Sequence, residues 1–180
     1  MKKWMKLVMV MSAASIVLIG SLPAAYAQSK AVSHQVTLSV PSILSISADT
    51  TSLTLAFADF VASSVTDIKT VIYTVKANNM TKTTGVISAK LDTLFTGVDL
   101  KADPGAYIAS AGSNAKLIES TSGAITVTAA GVNLMDRQTI SGSGKIALGS
   151  FPVAYQATAL TDLSADYNPT QNLTITFADV

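Results

Sequence analysis

Apolar and polar side chains alternate along most of the chain after its first 30 residues. Near the C-terminus, for example, Leu173, Ile175 and Phe177 alternate with Thr174 and Thr176. A period of two places the apolar side chains on one face of a pleated strand, and Thr on the other face favours strand over helix. The pattern predicts strands over residues 36–40, 53–57, 71–75, 87–91, 125–129, 153–157 and 173–177. Shorter strands are predicted at 107–109 and 116–119, a strand start at 145–148, and one helical turn at 160–165.

Turn-forming residues separate these runs and set the fold class. Gly, Pro, Asn and Asp recur between them, as in Asp103-Pro104-Gly105 and Asn78-Asn79. Several antiparallel strands, each with one apolar face, bury those faces when two sheets stack. We therefore predict an all-β fold for residues 28–180: a single antiparallel two-sheet sandwich of about 7–10 strands, immunoglobulin-like with Greek-key connections.

One short motif occurs twice in the chain. Residues 53–59 read Leu-Thr-Leu-Ala-Phe-Ala-Asp, and residues 173–179 read Leu-Thr-Ile-Thr-Phe-Ala-Asp. A single recurrence about 120 residues apart is not a repeat array. Two strands under similar packing rules explain it better than an internal duplication.

The first 27 residues have the pattern of a secretory signal peptide. Lys2, Lys3 and Lys6 precede an apolar stretch that ends near Ile19, and Ala25 and Ala27 provide the small residues of a cleavage site. The apolar stretch is shorter than the roughly 20 residues of a membrane-spanning helix. The sequence therefore predicts export, a secreted or cell-surface location after transit through the periplasm, and no membrane attachment of the cleaved chain.

Composition argues against most kinds of chemistry. Removing the three signal lysines leaves nine basic and eleven acidic residues, a formal charge of −2, which disfavours nucleic acid and polybasic membrane binding. The chain has no Cys and only one His, so disulfides, thiolate nucleophiles and zinc–thiolate sites are excluded. We expect a protein that is not an enzyme and uses no cofactor.

The acidic residues offer one metal hypothesis. Asp99 and Asp103 lie in a stretch, residues 92–105, that reads as a loop, and calcium binds loop carboxylates and carbonyls. Their spacing matches no known calcium-binding repeat, and Asp is also a common turn residue. We favour the turn interpretation and keep Asp99 and Asp103 as the calcium candidates. The lone His34 is interpreted as a polar residue near a terminus.

The segment that follows the signal is the most informative feature of the remaining chain. Val32, Val36, Leu38 and Val40 fall on one face of a strand that Pro41 ends. A strand-forming segment at a free terminus suits donor-strand assembly, in which one subunit completes the sheet of the next. The alternative is an ordinary first strand of a self-complete sandwich. Both interpretations stay open here, with residues 28–40 as the exchangeable segment in the first.

In layout, the chain resembles bacterial pilus subunits of the chaperone–usher type. The similar features are the signal, the strand Val36-Thr37-Leu38-Ser39-Val40-Pro41, the strand Val71-Ile72-Tyr73-Thr74-Val75 before Asn78-Asn79, the run Gly85-Val86-Ile87-Ser88-Ala89, and Tyr167 before Leu173-Thr174-Ile175-Thr176-Phe177. It looks closest to cysteine-free pilins, because the disulfide usual in spore-coat-U-like pilins is missing. The resemblance implies a fibre-forming or surface-coating subunit that associates with itself or another exported subunit and is escorted by a periplasmic chaperone.

A second function class remains in view. A monomeric extracellular module could bind a glycan or a protein through its loops, with residues 92–105 and 131–144 as the candidate loops. Tyr107 and Tyr167 are the rings available for stacking on a sugar. Ring-poor loops favour the structural subunit over this alternative.

Overall fold

The computed structural model describes Gln35 and residues 37–164 and 166–179. The chain divides into two units, Met1–Ser39 and Val40–Val180. In the first unit, residues 35 and 37–39 are not in a strand. The second unit contains ten strands: β1 (Leu44–Ala48), β2 (Lys69–Ala77), β3 (Ile87–Leu91), β4 (Val98–Pro104), β5 (Ile108–Ala109), β6 (Ala115–Glu119), β7 (Ile125–Thr126), β8 (Val132–Thr139), β9 (Ala147–Ala159) and β10 (Leu173–Phe177).

The larger sheet is built around the long strand β9. Its strand order is β1-β2-β9-β4-β7, and the short β5 also pairs with β9. Every pairing in this sheet is antiparallel. Along β9, buried residues alternate with half-buried ones over the whole strand, because every second side chain points into the protein.

The smaller sheet has the order β10-β3-β8-β6 and is also antiparallel. β10 forms one edge and pairs only with β3 among the described strands. The pairing of β3 with β8 contains a register shift between Ile87 and Ser88. As a result, Leu134 and Met135 are both buried although they are adjacent in β8.

The core lies between the two sheets and is made of aliphatic and aromatic side chains. Tyr73 and Phe151, on neighbouring strands, stack with ring centroids 5.6 Å apart. Phe151, Leu91 and Leu117 are among the fully buried side chains, and each such burial contributes about 1.5–3 kcal/mol. The predicted two-sheet antiparallel sandwich is confirmed, whereas the Greek-key connectivity stays a prediction.

Most predicted strands are present, but several regions differ from expectation. The predicted strand 36–40 is not found over its described residues, 37–40, and β1 forms at residues 44–48, where no strand is predicted. Residues 98–104 and 132–139 form β4 and β8, although both were read as loops. Residues 53–57 were expected to be a strand, but they form only an isolated bridge between Phe57 and Thr66. No helical turn forms over the described part of 160–165, and no described helix is long and apolar enough to cross a bilayer.

Candidate functional site: an open groove between the sheets

A groove of about 1060 Å³ opens along one flank of the sandwich. One wall is the extended segment 51–58, which follows β1, and the other is β10. The floor is formed by core residues of the larger sheet, and Leu163, Ser164 and residues 167–172 also line the groove. The groove is therefore bounded by β10, an edge strand of the smaller sheet, and by the segment that continues from β1, an edge strand of the larger sheet.

The first wall has the side-chain arrangement of a strand without its backbone partners. Leu53, Leu55 and Phe57 are half-buried, while Thr54 and Ala56 are exposed. Leu53 and Leu55 pack against the core. Residues 51–55 make no backbone–backbone hydrogen bond to any described part of the chain. The Thr50 hydroxyl donates to the carbonyl of Ser52 (3.0 Å) and accepts from its N–H (3.4 Å). Residues 53–55 thus contribute apolar contacts and leave their peptide groups available.

The second wall, β10, pairs with β3 on one side and has no strand partner on its other side among the described residues. Ala178 N–H donates to the carbonyl of Val86 (2.9 Å), and the carbonyl of Asn172 accepts from Asp92 (3.1 Å), so even-numbered residues bond toward β3. Because peptide groups alternate in direction along a strand, those of Leu173 and Ile175 point away from β3. Such an edge is a template for another strand.

The repeated motif forms these two walls. Residues 53–59 and 173–179 share five of seven residues. In each copy the first two apolar side chains, Leu53 and Leu55 or Leu173 and Ile175, pack against the core; Phe177 is buried and Phe57 is half-buried. The terminal Asp of each copy caps backbone amides: Asp59 accepts from Phe60 N (2.7 Å), and Asp179 accepts from Thr81 N (2.6 Å) and Lys82 N (2.7 Å). Both walls are therefore apolar extended segments whose C-terminal Asp is hydrogen-bonded to backbone amides, and of the two only β10 is a strand.

The floor carries a buried pair of phenols. The hydroxyls of Tyr73 and Tyr155 are 2.9 Å apart and hydrogen-bonded, which satisfies both polar groups in an apolar surrounding. Burial raises the pKa of Tyr155 far above its ordinary value, and it raises the pKa of Tyr73 as well. Both phenols are neutral over the physiological range, so the floor presents rings and no charge.

The groove suits an extended apolar strand. Its walls offer free peptide groups, its floor is apolar, and β10 is five residues long, or about 17 Å. The described residues contain no cluster of three metal-ligating side chains. The chemistry available in the groove is thus β-pairing together with apolar side-chain burial.

The predicted assembly strand is described only in part. Leu38 and Val40 are 91% and 83% exposed, respectively, whereas Val32 and Val36 lie outside the described residues, as does His34. Two large aliphatic side chains this exposed gain the full free energy of burial if they enter an apolar site.

The calcium candidates are on a strand and not in a loop. Asp99 and Asp103 both lie in β4, opposite Thr158 and Ala154 of β9. Four residues of strand separate their Cα atoms by about 13 Å. The turn interpretation of these two residues is therefore wrong, and the strand does not bring their carboxylates to one point.

The two tyrosines that the sequence offers for stacking on a sugar, Tyr107 and Tyr167, have different surroundings. Tyr167 lines the groove, and its hydroxyl donates to the carbonyl of Thr96 (2.9 Å). Tyr107 has a buried hydroxyl with no hydrogen-bond partner among the described atoms, and burial raises its pKa. The candidate loops 92–105 and 131–144 contain β4 and β8, so much of each is sheet.

The sequence did not predict that the segment 51–58 and β10 line the same groove. The repeated motif was the available signal, because two copies of one apolar strand pattern can line two sides of one site. Comparison of this chain with models of protein families, with curated proteins and with solved structures gave no significant match. The groove therefore rests on its own geometry.

Proposed function

We propose that this protein is an exported structural subunit that assembles into a surface fibre or coat by strand complementation. In this proposal, residues 1–27 are a cleaved signal, and the segment around Val36, Leu38 and Val40 of one copy lies in the groove of the next. The observation that carries it is the groove with two apolar walls, residues 53–55 and the outer side of β10, whose peptide groups have no backbone partner among the described residues.

The dimensions of the segment and the groove agree. In this proposal, residues 36–40 become a five-residue strand with three apolar side chains on one face when they enter the groove, and β10 is a five-residue strand with three apolar side chains on its inner face. An inserted strand would take hydrogen bonds from the outward peptide groups of Leu173 and Ile175. Such a contact joins unlike surfaces, so it propagates from copy to copy.

The low charge of the chain supports the same proposal. Only 13% of all residues are charged, which reduces like-charge repulsion between packed copies. An apolar groove with open edges is prone to unspecific pairing, so a periplasmic chaperone that covers it during export fits the physics. The other subunit is a second copy of this chain or a related exported subunit.

The test uses the exposed residue Leu38. In the chain lacking residues 1–27, Leu38→Asp is expected to leave the melting temperature unchanged because the side chain is exposed, yet to abolish filaments and SDS-resistant, heat-labile oligomers. Ser39→Asp, on the opposite face of the segment, is the matched control and should assemble normally. Electron microscopy and electrophoresis without heating provide the measurements.

The same experiment distinguishes the fibre or coat subunit from the alternative, a monomeric binding module. If the natural chain stays monomeric and Leu38→Asp changes nothing, strand complementation is wrong. A monomer that binds an extended peptide from another protein in the groove would instead be an extracellular binding module.

A further inference from the structure

Large apolar side chains are exposed at one end of the sandwich, which we call the upper pole. Three loops meet there: Leu163 N–H donates to the carbonyl of Phe60 (2.7 Å), and Leu160 N–H donates to the carbonyl of Gly97 (2.8 Å). Phe60, Leu94 and Leu160 on these loops are 65%, 53% and 55% exposed, respectively, and the neighbouring Val61 is also exposed. Grouped exposure of this kind marks an interaction surface.

The upper pole is also acidic. Exposed carboxylates surround the apolar residues: Asp59 follows the wall segment, Asp92 follows β3, and Asp162 and Asp166 follow β9. Asp162 is tied to the same loops, since its carboxylate accepts from Ala62 N (2.9 Å). Lys90, near the end of β3, is also exposed, but the four carboxylates outnumber it. The pole therefore combines an apolar centre with net negative charge.

The opposite end, the lower pole, is basic. Lys76 near the end of β2, Lys116 at the start of β6 and Lys145 before β9 are all exposed. Two carboxylates lie nearby, those of Asp136 and Asp179, and both are partly buried and outnumbered by the three exposed lysines. The two poles thus carry opposite charge.

The predicted exchangeable segment joins the sandwich at the lower pole. Asn78, just after β2, donates through Nδ2 to the carbonyl of Pro41 (2.7 Å) and accepts through Oδ1 from Ile43 N (2.7 Å). The groove, in contrast, reaches the upper pole, where Leu163 and Tyr167 line it. A copy that lends its segment therefore brings its basic pole to one end of the acceptor groove.

We infer that the upper pole is a docking surface for the lower pole of a second copy of this chain. The inference rests on the proposed strand complementation. With Val40 of the lent segment at the upper end of the groove, a basic pole meets an acidic and apolar pole. With the segment reversed, two basic poles meet, which is unfavourable. Charge thus selects one direction of insertion and one head-to-tail arrangement.

The first test reverses charges in the chain lacking residues 1–27. Asp166→Lys and Lys145→Glu change exposed side chains that make no described side-chain hydrogen bond or ion pair. Each is expected to slow assembly, followed by light scattering, about tenfold or more at low ionic strength and little at about 0.5 M salt. Combining both changes should recover most of the rate.

Two matched controls test whether the effects are specific to substitutions at the poles. Asp103→Lys alters the net charge as Asp166→Lys does, but Asp103 lies opposite Ala154 near the middle of the long strand β9, away from both poles, and the change should leave the rate unchanged. Phe60→Ser should slow assembly at every salt concentration, whereas Ile72→Ser, on an exposed side of β2, should not. Equal effects of the pole and control variants, or no rescue in the double variant, would overturn the docking surface.

A peptide of residues 28–40 distinguishes failure of this inference from failure of the proposed function. The peptide carries the lent segment without either pole, so it should block assembly of the natural chain and of Asp166→Lys with equal potency. If it blocks assembly while the charge reversals have no effect, strand complementation stands and polar docking is wrong. If the peptide neither binds nor blocks, the proposed function fails and the inference fails with it.

Discussion

Gly149 lies in β9 opposite Ala109 of β5, beside the phenol of Tyr107. A Cβ atom at this position would be 2.7 Å from Tyr107 Oη and in collision with the carbonyl oxygen of Ile108. Glycine is therefore required here by close approach of another chain segment, and not by an unusual backbone conformation. The bare backbone lets the short β5 attach to the long central strand.

We predict that Gly149→Ala destabilises the protein by about 1–3 kcal/mol, because either β5 or the Tyr107 ring must move. Urea denaturation followed by circular dichroism measures the change. Ser150→Ala, the next residue of the same strand, is the control and should stay within about 0.5 kcal/mol of the natural chain. A Gly149→Ala variant as stable as Ser150→Ala would show that the contact relaxes freely.

The buried phenol pair makes stability depend on alkaline pH. Unfolded tyrosines lose their protons near pH 10, whereas burial raises the pKa of Tyr155 and of Tyr73 in the folded protein. Above about pH 10 the unfolded chain therefore binds fewer protons than the folded one, and the free energy of unfolding falls as pH rises.

We predict that Tyr155→Phe makes the loss of stability between about pH 10 and pH 11.5 shallower, since one raised pKa is removed. Below pH 9 the variant should be less stable than the natural chain, because the Tyr73 hydroxyl loses its partner. Urea denaturation at a series of pH values gives both results. Identical slopes in the two proteins would mean that Tyr155 ionises equally in both states.

At the scale of the strands and loops, the guanidinium of Arg137 connects β8 to the loop after β2. Arg137 Nε donates to the carbonyl of Lys82 (2.8 Å), Nη2 to that of Thr81 (3.0 Å), and Nη1 to those of Met80 (3.2 Å) and Gly144. The planar fork thereby ties two loops at the lower pole to one strand.

We predict that Arg137→Lys lowers the free energy of unfolding by about 2 kcal/mol, because an ammonium keeps the charge but reaches fewer carbonyls than the fork. Lys116→Arg, on the exposed side of β6, is the control and should change stability by less than about 0.5 kcal/mol. Hydrogen exchange of residues 80–83 should speed up in the Arg137 variant alone. Unchanged exchange there would contradict the proposed clamp.

Three strands were not predicted from the sequence: β1, β4 and β8. For β8 and β4 the physical reason is clear. β8 contains the register shift opposite Ile87 and Ser88, so Leu134 and Met135 are buried in succession and the period of two is lost. β4 alternates correctly at Val98, Leu100 and Ala102, but it ends in Asp-Pro-Gly, which is typical of a turn.

The segment 53–57 is the opposite case, because its pattern predicts a strand that does not form. Its alternation correctly predicted which side chains face the core, yet it forms no ladder. Side-chain periodicity indicates which residues are buried. A ladder also needs a neighbouring strand, and no described strand pairs with residues 53–57. The sandwich was thus predictable from the local pattern, while the groove arises from a long-range juxtaposition of β10 with 51–58 that no local pattern encodes.

For the whole molecule, an unfilled groove means that the isolated chain can still gain stability by binding. A ligand that binds only the folded state adds about 2.7 kcal/mol at a concentration 100 times its Kd. We predict that the peptide of residues 28–40 raises the Tm of the chain lacking residues 1–40 in a concentration-dependent way. Thermal denaturation followed by circular dichroism measures this.

The control for that experiment is the same peptide with Leu38→Asp, which should leave Tm unchanged because a carboxylate would enter an apolar site. The described strands begin at Leu44, so removing residues 1–40 leaves every one of them in place. A Tm that is insensitive to the natural peptide at millimolar concentration would contradict a vacant strand position.

The tyrosines of the groove also give a means of observing it. Trp4 is the only tryptophan, and it leaves with the predicted signal, as does Tyr26. Of the four remaining tyrosines, Tyr73, Tyr155 and Tyr167 line the groove. Ultraviolet emission from the chain lacking residues 1–27 therefore originates mainly at this one location, so intrinsic fluorescence can follow filling of the groove in real time without an attached dye.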